Sequence, residues 1–243
     1  MTAKNLSNRA IVRLAPTDAS EDVRGFLQGL VTNDVSGDLP VYAALLSAQG
    51  KAMFDFFVWS GEDGALLLDC EANAADDLAK RLSLYRLRRK IEIARDETLA
   101  VYWSDTAFDG AIADPRLAAL GYRGVSKATE AVNGDADYQA HRLSLGVPEG
   151  RSDLADILWL ETNAVELNGV SFAKGCYIGQ ENTARMSWRQ KVNRRLVVVP
   201  FDASEEKRRK AIYPDLGLAV DHLRVADLDP ASLPDWQSAG LTE

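Results

Sequence analysis

The sequence predicts an α+β fold. Its 243 residues can bury roughly 70–75% of the surface that the unfolded chain exposes, so a core can form without a disulfide or a metal. Helical and strand patterns alternate along the chain without the regular βαβ repeat of a doubly wound sheet. The dinucleotide motif GxGxxG, the Walker loop and internal repeats are also absent from the sequence. These observations favour an α+β arrangement over a doubly wound one.

The first predicted elements are a helix and a hairpin. Residues 20–31 have an amphipathic pattern behind two candidate caps, Asp18 and Ser20. The apolar positions of this helix are Val23, Phe26, Leu27 and Leu30. Residues 41–59 contain two apolar, aromatic-rich runs around a Gln-Gly pair, which is the pattern of a β-hairpin. The apolar run over residues 65–69 then predicts a third strand.

A second helix is predicted over residues 74–91, with acidic residues at its start and basic residues at its end, which complements the helix dipole. The basic end consists of Arg86, Arg88, Arg89 and Lys90. We interpret this cluster as a solvated helix end, with a binding patch as the alternative. Strands over residues 91–95 and 99–104 and a helix around residues 138–145 follow. The C-terminal segment is charged and irregular, with one good apolar run over residues 216–223.

Composition excludes several classes of protein. The net charge of −8 argues against sequence-independent binding of nucleic acid. The longest apolar run is far below the roughly 20 residues of a membrane span, and the first residues do not have the pattern of a leader. The two cysteines, Cys70 and Cys176, form no CxxC and cannot alone make a four-ligand metal site. We therefore expect a cytoplasmic protein with free thiols and no metal or membrane partner.

The densest functional pattern surrounds Cys176. Residues 174–181 read Lys-Gly-Cys-Tyr-Ile-Gly-Gln-Glu, and a helix can start in the segment 177–186. If Cys176 lies in the first turn of this helix, the helix dipole, Lys174 and Arg185 would all favour its thiolate, the reactive form. The alternative is that Cys176 is a small buried hydrophobe.

These eight residues resemble the K-G-C-[FY]-x-G-Q-E signature of the YgfZ-type folate-binding proteins. This family is related to the glycine-cleavage T-protein, an aminomethyltransferase, and acts in iron–sulfur cluster maturation and repair. Residues 26–34, 45–58 and 168–172 support the resemblance in the right order, so it spans about residues 10–200.

The resemblance implies a ring of three modules around a central hole. We expect a first folate-binding module over residues 1–38 plus 135–192 and a ferredoxin-like second module over residues 39–134. The family also has a C-terminal β-barrel. Because only about 45 residues follow Val199, we expect a shortened barrel region over residues 193–243.

The resemblance also implies a ligand, tetrahydrofolate or a related reduced folate. Glu161 is similar in position to the T-protein glutamate that holds the pterin, with a surface glutamate as the alternative. Asp55 falls where that family places a pair of acidic residues that includes its catalytic aspartate. A polar position on the wet face of a strand is the alternative for Asp55.

Other side chains could complete such a site. Aromatic faces would cover the folate rings, cations would meet the anionic tail, and amides would hydrogen-bond the ligand. The candidates are Tyr177 and Trp188 for stacking, Arg185, Arg194 and Arg195 for the tail, and Asn33 and Gln180 for hydrogen bonds. The alternatives are core aromatics, solvated cations and turn caps. The isolated His141 and His222 are expected to be structural.

The leading hypothesis is therefore a folate-dependent accessory factor for assembly or repair of iron–sulfur clusters. Its working thiol would be Cys176, and its partners would be cluster assembly or recipient proteins. An aminomethyltransferase that transfers a one-carbon unit to tetrahydrofolate is the first alternative, although that enzyme does not require the cysteine signature. A non-catalytic interaction module that has kept the fold is the second. Binding of tetrahydrofolate would exclude this last alternative.

Overall fold

The computed structural model describes residues 3–189 and 192–241, with the backbone only for residues 187–189. The strands are β1 (Lys4–Asn5), β2 (Arg9–Pro16), β3 (Val41–Leu46), β4 (Ala52–Ser60), β5 (Leu66–Glu71), β6 (Ile91–Asp96), β7 (Leu99–Ser104), β8 (Ile112–Ala113), β9 (Tyr122–Lys127), β10 (Arg194–Pro200), β11 (Arg209–Tyr213) and β12 (Leu218–Arg224). The α-helices are α1 (Val23–Gln28), α2 (Ala75–Arg86), α3 (Asp135–Ser144), α4 (Gly150–Leu154), α5 (Gln180–Arg189) and α6 (Asp235–Ala239). The mixture of helices with separate antiparallel sheets confirms the α+β prediction.

The largest sheet has five strands in the order β3-β4-β5-β2-β6. All of its strand pairs are antiparallel. Val41 pairs with Val58 in the register of β3 and β4, which confirms the hairpin, and β5 confirms the third strand. The predicted strands over residues 91–95 and 99–104 are present as β6 and β7.

The two faces of this sheet belong to two different cores. Side chains alternate between the faces of a strand, and in β4 Phe56 and Val58 pack with apolar residues of α1 and α2. Phe57 and Trp59 point the other way, toward a second core that includes Tyr42 and Trp159. By the same alternation, Asp55 lies on the side of Phe57. A carboxylate is thereby placed at the edge of an apolar core.

The remaining strands form two smaller sheets. One has the order β1-β7-β9-β8, and the C-terminal one has the order β10-β12-β11. The single apolar run predicted for the C-terminal segment corresponds to β12, whereas β10 and β11 are strands that the sequence analysis missed. The C-terminal region, where we expected a shortened barrel, thus contains a small three-stranded sheet.

Three helix boundaries differ from the predicted ones. Helix α1 is capped by Asp22, whose carboxylate accepts a hydrogen bond from the Gly25 amide, and not by Asp18 or Ser20. Helix α2 ends at Arg86 because Leu87 has a positive φ of 51°. Helix α5 begins at Gln180, three residues later than predicted. Helix α3 confirms the helix expected around residues 138–145. No helix in the described chain is long and apolar enough to cross a membrane.

Candidate functional site

The loop before α5 presents Cys176 to solvent. On one side of the cysteine, Lys174 turns inward, and its Nζ donates hydrogen bonds to the carbonyls of Gln28, at 2.7 Å, and Val31. These carbonyls lie at and beyond the C-terminal end of α1, where backbone acceptors lack helical partners. Lys174 therefore ties the cysteine loop to the end of α1.

A glycine fixes the loop on the other side of the cysteine. Gly179 has a φ of +79°, and a Cβ added there would lie 2.3 Å from the carbonyl oxygen of Ser47. Only glycine tolerates both this backbone and this close approach. Nearby, Asn182 Nδ2 donates to the carbonyl of Gln49 at 2.6 Å. The loop is thus held against the β3–β4 turn as well as against α1.

The expected position of Cys176 in a helical first turn is wrong. Helix α5 starts at Gln180, whose Oε1 accepts a hydrogen bond of 3.1 Å from the backbone N–H of Tyr177. This bond satisfies one of the backbone amides at the helix start. Cys176 lies before this amide in the chain and outside the first turn of the helix. The exposure of the thiol, and not the helix dipole, is what makes it available for chemistry.

Lys174 and Tyr177, the two ionisable side chains on either side of Cys176 in this loop, are partly buried. Burial lowers the pKa of Lys174 to about 8, and the carboxylate of Asp34 partly opposes this shift. The Lys174 Nζ lies 5.0 Å from the ring centroid of Tyr177, and burial raises the pKa of the Tyr177 phenol. Because its amine is bonded to α1 carbonyls, Lys174 positions the loop.

The other cysteine is in the opposite environment. Cys70 is 1% exposed in the first core, and its Sγ lies 3.7 Å from the carbonyl of Ala10. Burial raises the pKa of the Cys70 thiol to about 12. Because the thiolate is the reactive form, Cys70 is inert and Cys176 is the accessible thiol of the pair.

Glu161 is held in a short 3₁₀ turn, Trp159–Thr162, behind the β3–β4 hairpin. Its carboxylate is mostly buried, and its Oε2 lies 3.0 Å from Nε2 of His222 on β12. The same Nε2 makes no hydrogen bond of acceptable geometry within the described residues. His222 was expected to be isolated, and it lies instead beside the proposed pterin anchor. Nothing in the sequence pattern connects two residues so far apart.

Asp55 is buried at the edge of the second core. It accepts hydrogen bonds from the Tyr42 hydroxyl at 3.1 Å and from the Gly150 amide at 3.3 Å. Burial raises the pKa of the Asp55 carboxyl to about 6, against the lowering effect of Arg9 and with a further raising effect from Glu149. Asp55 is therefore neither on a wet strand face nor open to solvent.

Next to Asp55 lies a buried ionic network that the sequence analysis did not predict. Its charged members are Arg9, Arg116, Arg123, Arg142, Asp69, Asp114, Glu149 and Asp153. Arg123 donates to Asp69 at 2.7 Å and to the Tyr138 hydroxyl at 2.6 Å. Arg116 donates to Glu149 at 2.6 Å, and Tyr138 also donates to Glu149 at 2.6 Å. Four positive and four negative side chains thus balance, which is what burial of charge requires.

A cavity of about 380 Å³ borders this network. Its buried wall includes Arg9, Tyr138, Arg142 and Glu149. None of the residues proposed for folate lines it. The cavity and the proposed folate residues are therefore different parts of the molecule.

The remaining candidates have different surroundings. Asn33 Nδ2 donates to the carbonyls of Tyr42 and Asn168, and its Oδ1 accepts from the Asp34 amide, so its amide group holds a turn. Arg195 is buried and pairs with Glu166 at 2.7 Å.

The structure describes the side chains of Arg185 and Arg194 but not that of Trp188. Arg185 is exposed on α5, and Arg194 is half-buried. The side chain of Trp188 lies outside the described part of the chain. In the described residues, no three His, Cys, Asp or Glu side chains come together as a potential metal site.

The fold of the chain matches that of a solved structure. A solved structure of the glycine cleavage system aminomethyltransferase T from Bartonella henselae is similar to this chain, with a TM-score of 0.66 and 13% identity, over 92% of this chain and 78% of the other. The chain thus has the aminomethyltransferase-type fold that the resemblance implied. No family model matches the sequence.

Similar sequences are found among iron-sulfur cluster assembly factors. The mitochondrial iron-sulfur cluster assembly factor IBA57 of Homo sapiens is 35% identical over 236 residues, which cover 81% of this chain and 65% of the relative. The corresponding mouse factor is 34% identical, over 83% of this chain and 66% of the relative. The homologue of Neurospora crassa is 31% identical, over 79% and 52%. These similarities support the resemblance of the chain to the YgfZ-type family, and the chain spans just under two thirds of the human and mouse relatives.

The expected cytoplasmic location is wrong. The human, mouse and Neurospora relatives are all named as mitochondrial proteins. The prediction had rested on the first residues of the chain and on its free thiols, and neither observation distinguishes these compartments.

Proposed function

We propose that this chain is an iron–sulfur cluster assembly factor whose working thiol is Cys176. The relatives that are named as such factors support the class of function. The observation that carries the role of Cys176 is the construction of its loop, with Lys174 and Gly179 anchored on either side and the thiol exposed between them. Thiolates are the usual protein ligands of iron–sulfur clusters. Cys176 therefore binds an iron of the cluster in transit between assembly and recipient proteins.

Replacing Cys176 by serine tests this role. Because the side chain is exposed, the C176S variant should fold with an unchanged melting temperature. It should fail to restore the activity of iron–sulfur enzymes in cells that lack their own factor of this family. The matched control is Cys70→Ala, which removes the buried thiol and should restore activity at temperatures below its own melting point. Full restoration by C176S would show that Cys176 is not the working thiol.

We also propose a reduced folate as the ligand, with Glu161 as the pterin anchor. A bound reduced folate would supply a carrier for one-carbon units. The carboxylate of Glu161 has two acceptor oxygens, and the contact with His222 involves only one of them. The other oxygen is available for a pterin N–H group. Tyr177 and Arg185 remain our candidates for the ring face and the anionic tail.

Asn33, Arg195 and Asp55 give less support to a folate site. The polar atoms of Asn33 and Arg195 bond within the chain. The buried carboxylate of Asp55, bonded to Tyr42 and Gly150, lends nothing to the aminomethyltransferase alternative. We therefore rest the folate proposal on Glu161.

Replacing Glu161 by glutamine should weaken binding of tetrahydrofolate by about 1.5–3 kcal/mol, the scale of a lost charge-assisted hydrogen bond. Isothermal titration calorimetry on the folded variant measures this change. The control is Glu97→Gln, which makes the same charge change at an exposed side chain and should leave the affinity unchanged. An equal affinity for E161Q would remove Glu161 as the anchor. A wild-type chain that fails to bind tetrahydrofolate would favour the interaction-module alternative.

A further inference from the structure

The C-terminal end of α2 carries exposed apolar and basic side chains that the proposed function does not use. Leu84 is 63% exposed and Leu87 is 86% exposed. Lys80 and Arg88 are exposed beside them. Because Lys80 and Leu84 are four residues apart in a helix, they lie on the same face, one turn apart. We call Lys80, Leu84, Leu87 and Arg88 the α2 end patch.

A groove adjoins this patch. It has a volume of about 740 Å³ and runs between α1 and the end of α2. Phe26 and Gly25 line it from α1, and Tyr85, Leu87 and Arg88 line it from the other side. The groove thus offers aromatic and aliphatic surface. Arg86, Arg89 and Glu21, which pairs with Arg89, complete its lining. It has room for an apolar side chain from another molecule.

The patch is positively charged on a chain whose net charge is −8. In the described part of the chain, Lys80 and Arg88 have no ion-pair partner, whereas the neighbouring Arg89 pairs with Glu21. Unpaired cations beside an apolar groove are complementary to carboxylates beside an apolar side chain. Electrostatic complementarity of this kind selects partners and speeds their association.

The backbone at Leu87 gives independent support. Leu87 has φ 51° and ψ −112°, and the N–H of Arg89 donates to the carbonyl of Arg86 at 2.9 Å. These angles place Leu87 at the first central position of a type II′ turn, where glycine is strongly preferred. A leucine at this position is strained, and its side chain is nearly fully exposed. Strain of this kind is found where a side chain serves a binding role.

We propose that the α2 end patch binds an acidic amphipathic segment of a partner protein. An apolar side chain of that segment packs in the groove against Leu87. Carboxylates of the segment pair with Lys80 and Arg88. This site is separate from the Cys176 loop, so the proposal stands whether or not Cys176 is the working thiol.

Replacing Leu87 by glycine separates binding from stability. The L87G variant should melt at a higher temperature than the wild type, because glycine relieves the strained turn. It should also bind the partner segment roughly tenfold more weakly, because the apolar contact is lost. The probe is a synthetic fluorescent peptide in which glutamates surround one leucine and one phenylalanine at helical spacing. Fluorescence anisotropy with the full chain measures its affinity.

Two further variants complete the test. The double variant Lys80→Glu and Arg88→Glu should lose binding of the peptide while it keeps the wild-type melting temperature. Leu216→Ala, at a partly exposed leucine elsewhere, should leave binding unchanged. Equal binding by wild type and the two patch variants, or no binding by the wild type, would overturn the proposal. Equally tight binding of a peptide with alanine in place of its apolar residues would also overturn it.

Discussion

Replacing Arg123 by methionine should lower the free energy of unfolding by about 3–5 kcal/mol, the cost of breaking a buried ion pair by removing one partner. Arg123 is fully buried and donates to Asp69 and to the Tyr138 hydroxyl. Methionine fills part of the volume, but it leaves Asp69 Oδ2 without its donor and removes one of the two arginine donors to the Tyr138 hydroxyl, since Arg116 still donates there. Urea unfolding of both proteins at neutral pH, monitored by circular dichroism, measures the difference.

The control for Arg123 is an exposed cation. Lys4 pairs with Asp137, and both side chains are largely exposed, at 38% and 57%. Because exposed pairs contribute about 0–1 kcal/mol, Lys4→Met should change the unfolding free energy by less than 1 kcal/mol. Equal effects of the two substitutions would mean that the network of Arg123 does not stabilise the fold.

Replacing Asp55 by asparagine should stabilise the protein above about pH 6. The pKa of Asp55 is about 6 in the folded chain, above its ordinary value of 3.8. Between pH 3.8 and about pH 6, Asp55 therefore keeps its proton in the folded state but loses it in the unfolded state. The free energy of unfolding falls as the pH rises through this window. A shift of about two units corresponds to about 3 kcal/mol of lost stability above pH 6. Asparagine has no charge to bury, and its carbonyl can still accept from Tyr42 and Gly150.

The difference between D55N and the wild type is the quantity to measure. It should be near zero at pH 4 and should grow to about 3 kcal/mol between pH 4 and pH 7. Thermal or urea unfolding across this range supplies the curve. A difference that does not vary with pH would show that Asp55 does not titrate within the window.

Local patterns predicted the parts of the fold that depend on neighbouring residues. The Gln49-Gly50 pair between two aromatic-rich runs was enough to place the β3–β4 hairpin. Strand β11 was missed because its residues are mostly half-buried and give no alternation. It is a strand because β12 supplies hydrogen-bond partners, and no local pattern encodes such a partner.

The candidate site shows the same limit. Eight consecutive signature residues were enough to single out the Cys176 loop as a candidate site. The contact of Glu161 with His222 joins a short turn to a strand of the C-terminal sheet. The ionic network likewise gathers side chains from β2, β5, β9 and the segments around α3. Asp69, which lies within the apolar run of β5, was an available indication of buried charge.

The contact between Gly50 and Gly179 makes the position of the thiol depend on strand register. A Cβ on Gly50 would lie 3.0 Å from the carbonyl oxygen of Gly179, so two stretches of main chain touch with no side chain between them. If β3 and β4 slipped by one residue, the glycine turn would move and the cysteine loop would lose its support. Only a correctly paired hairpin therefore holds the Cys176 loop in its native place.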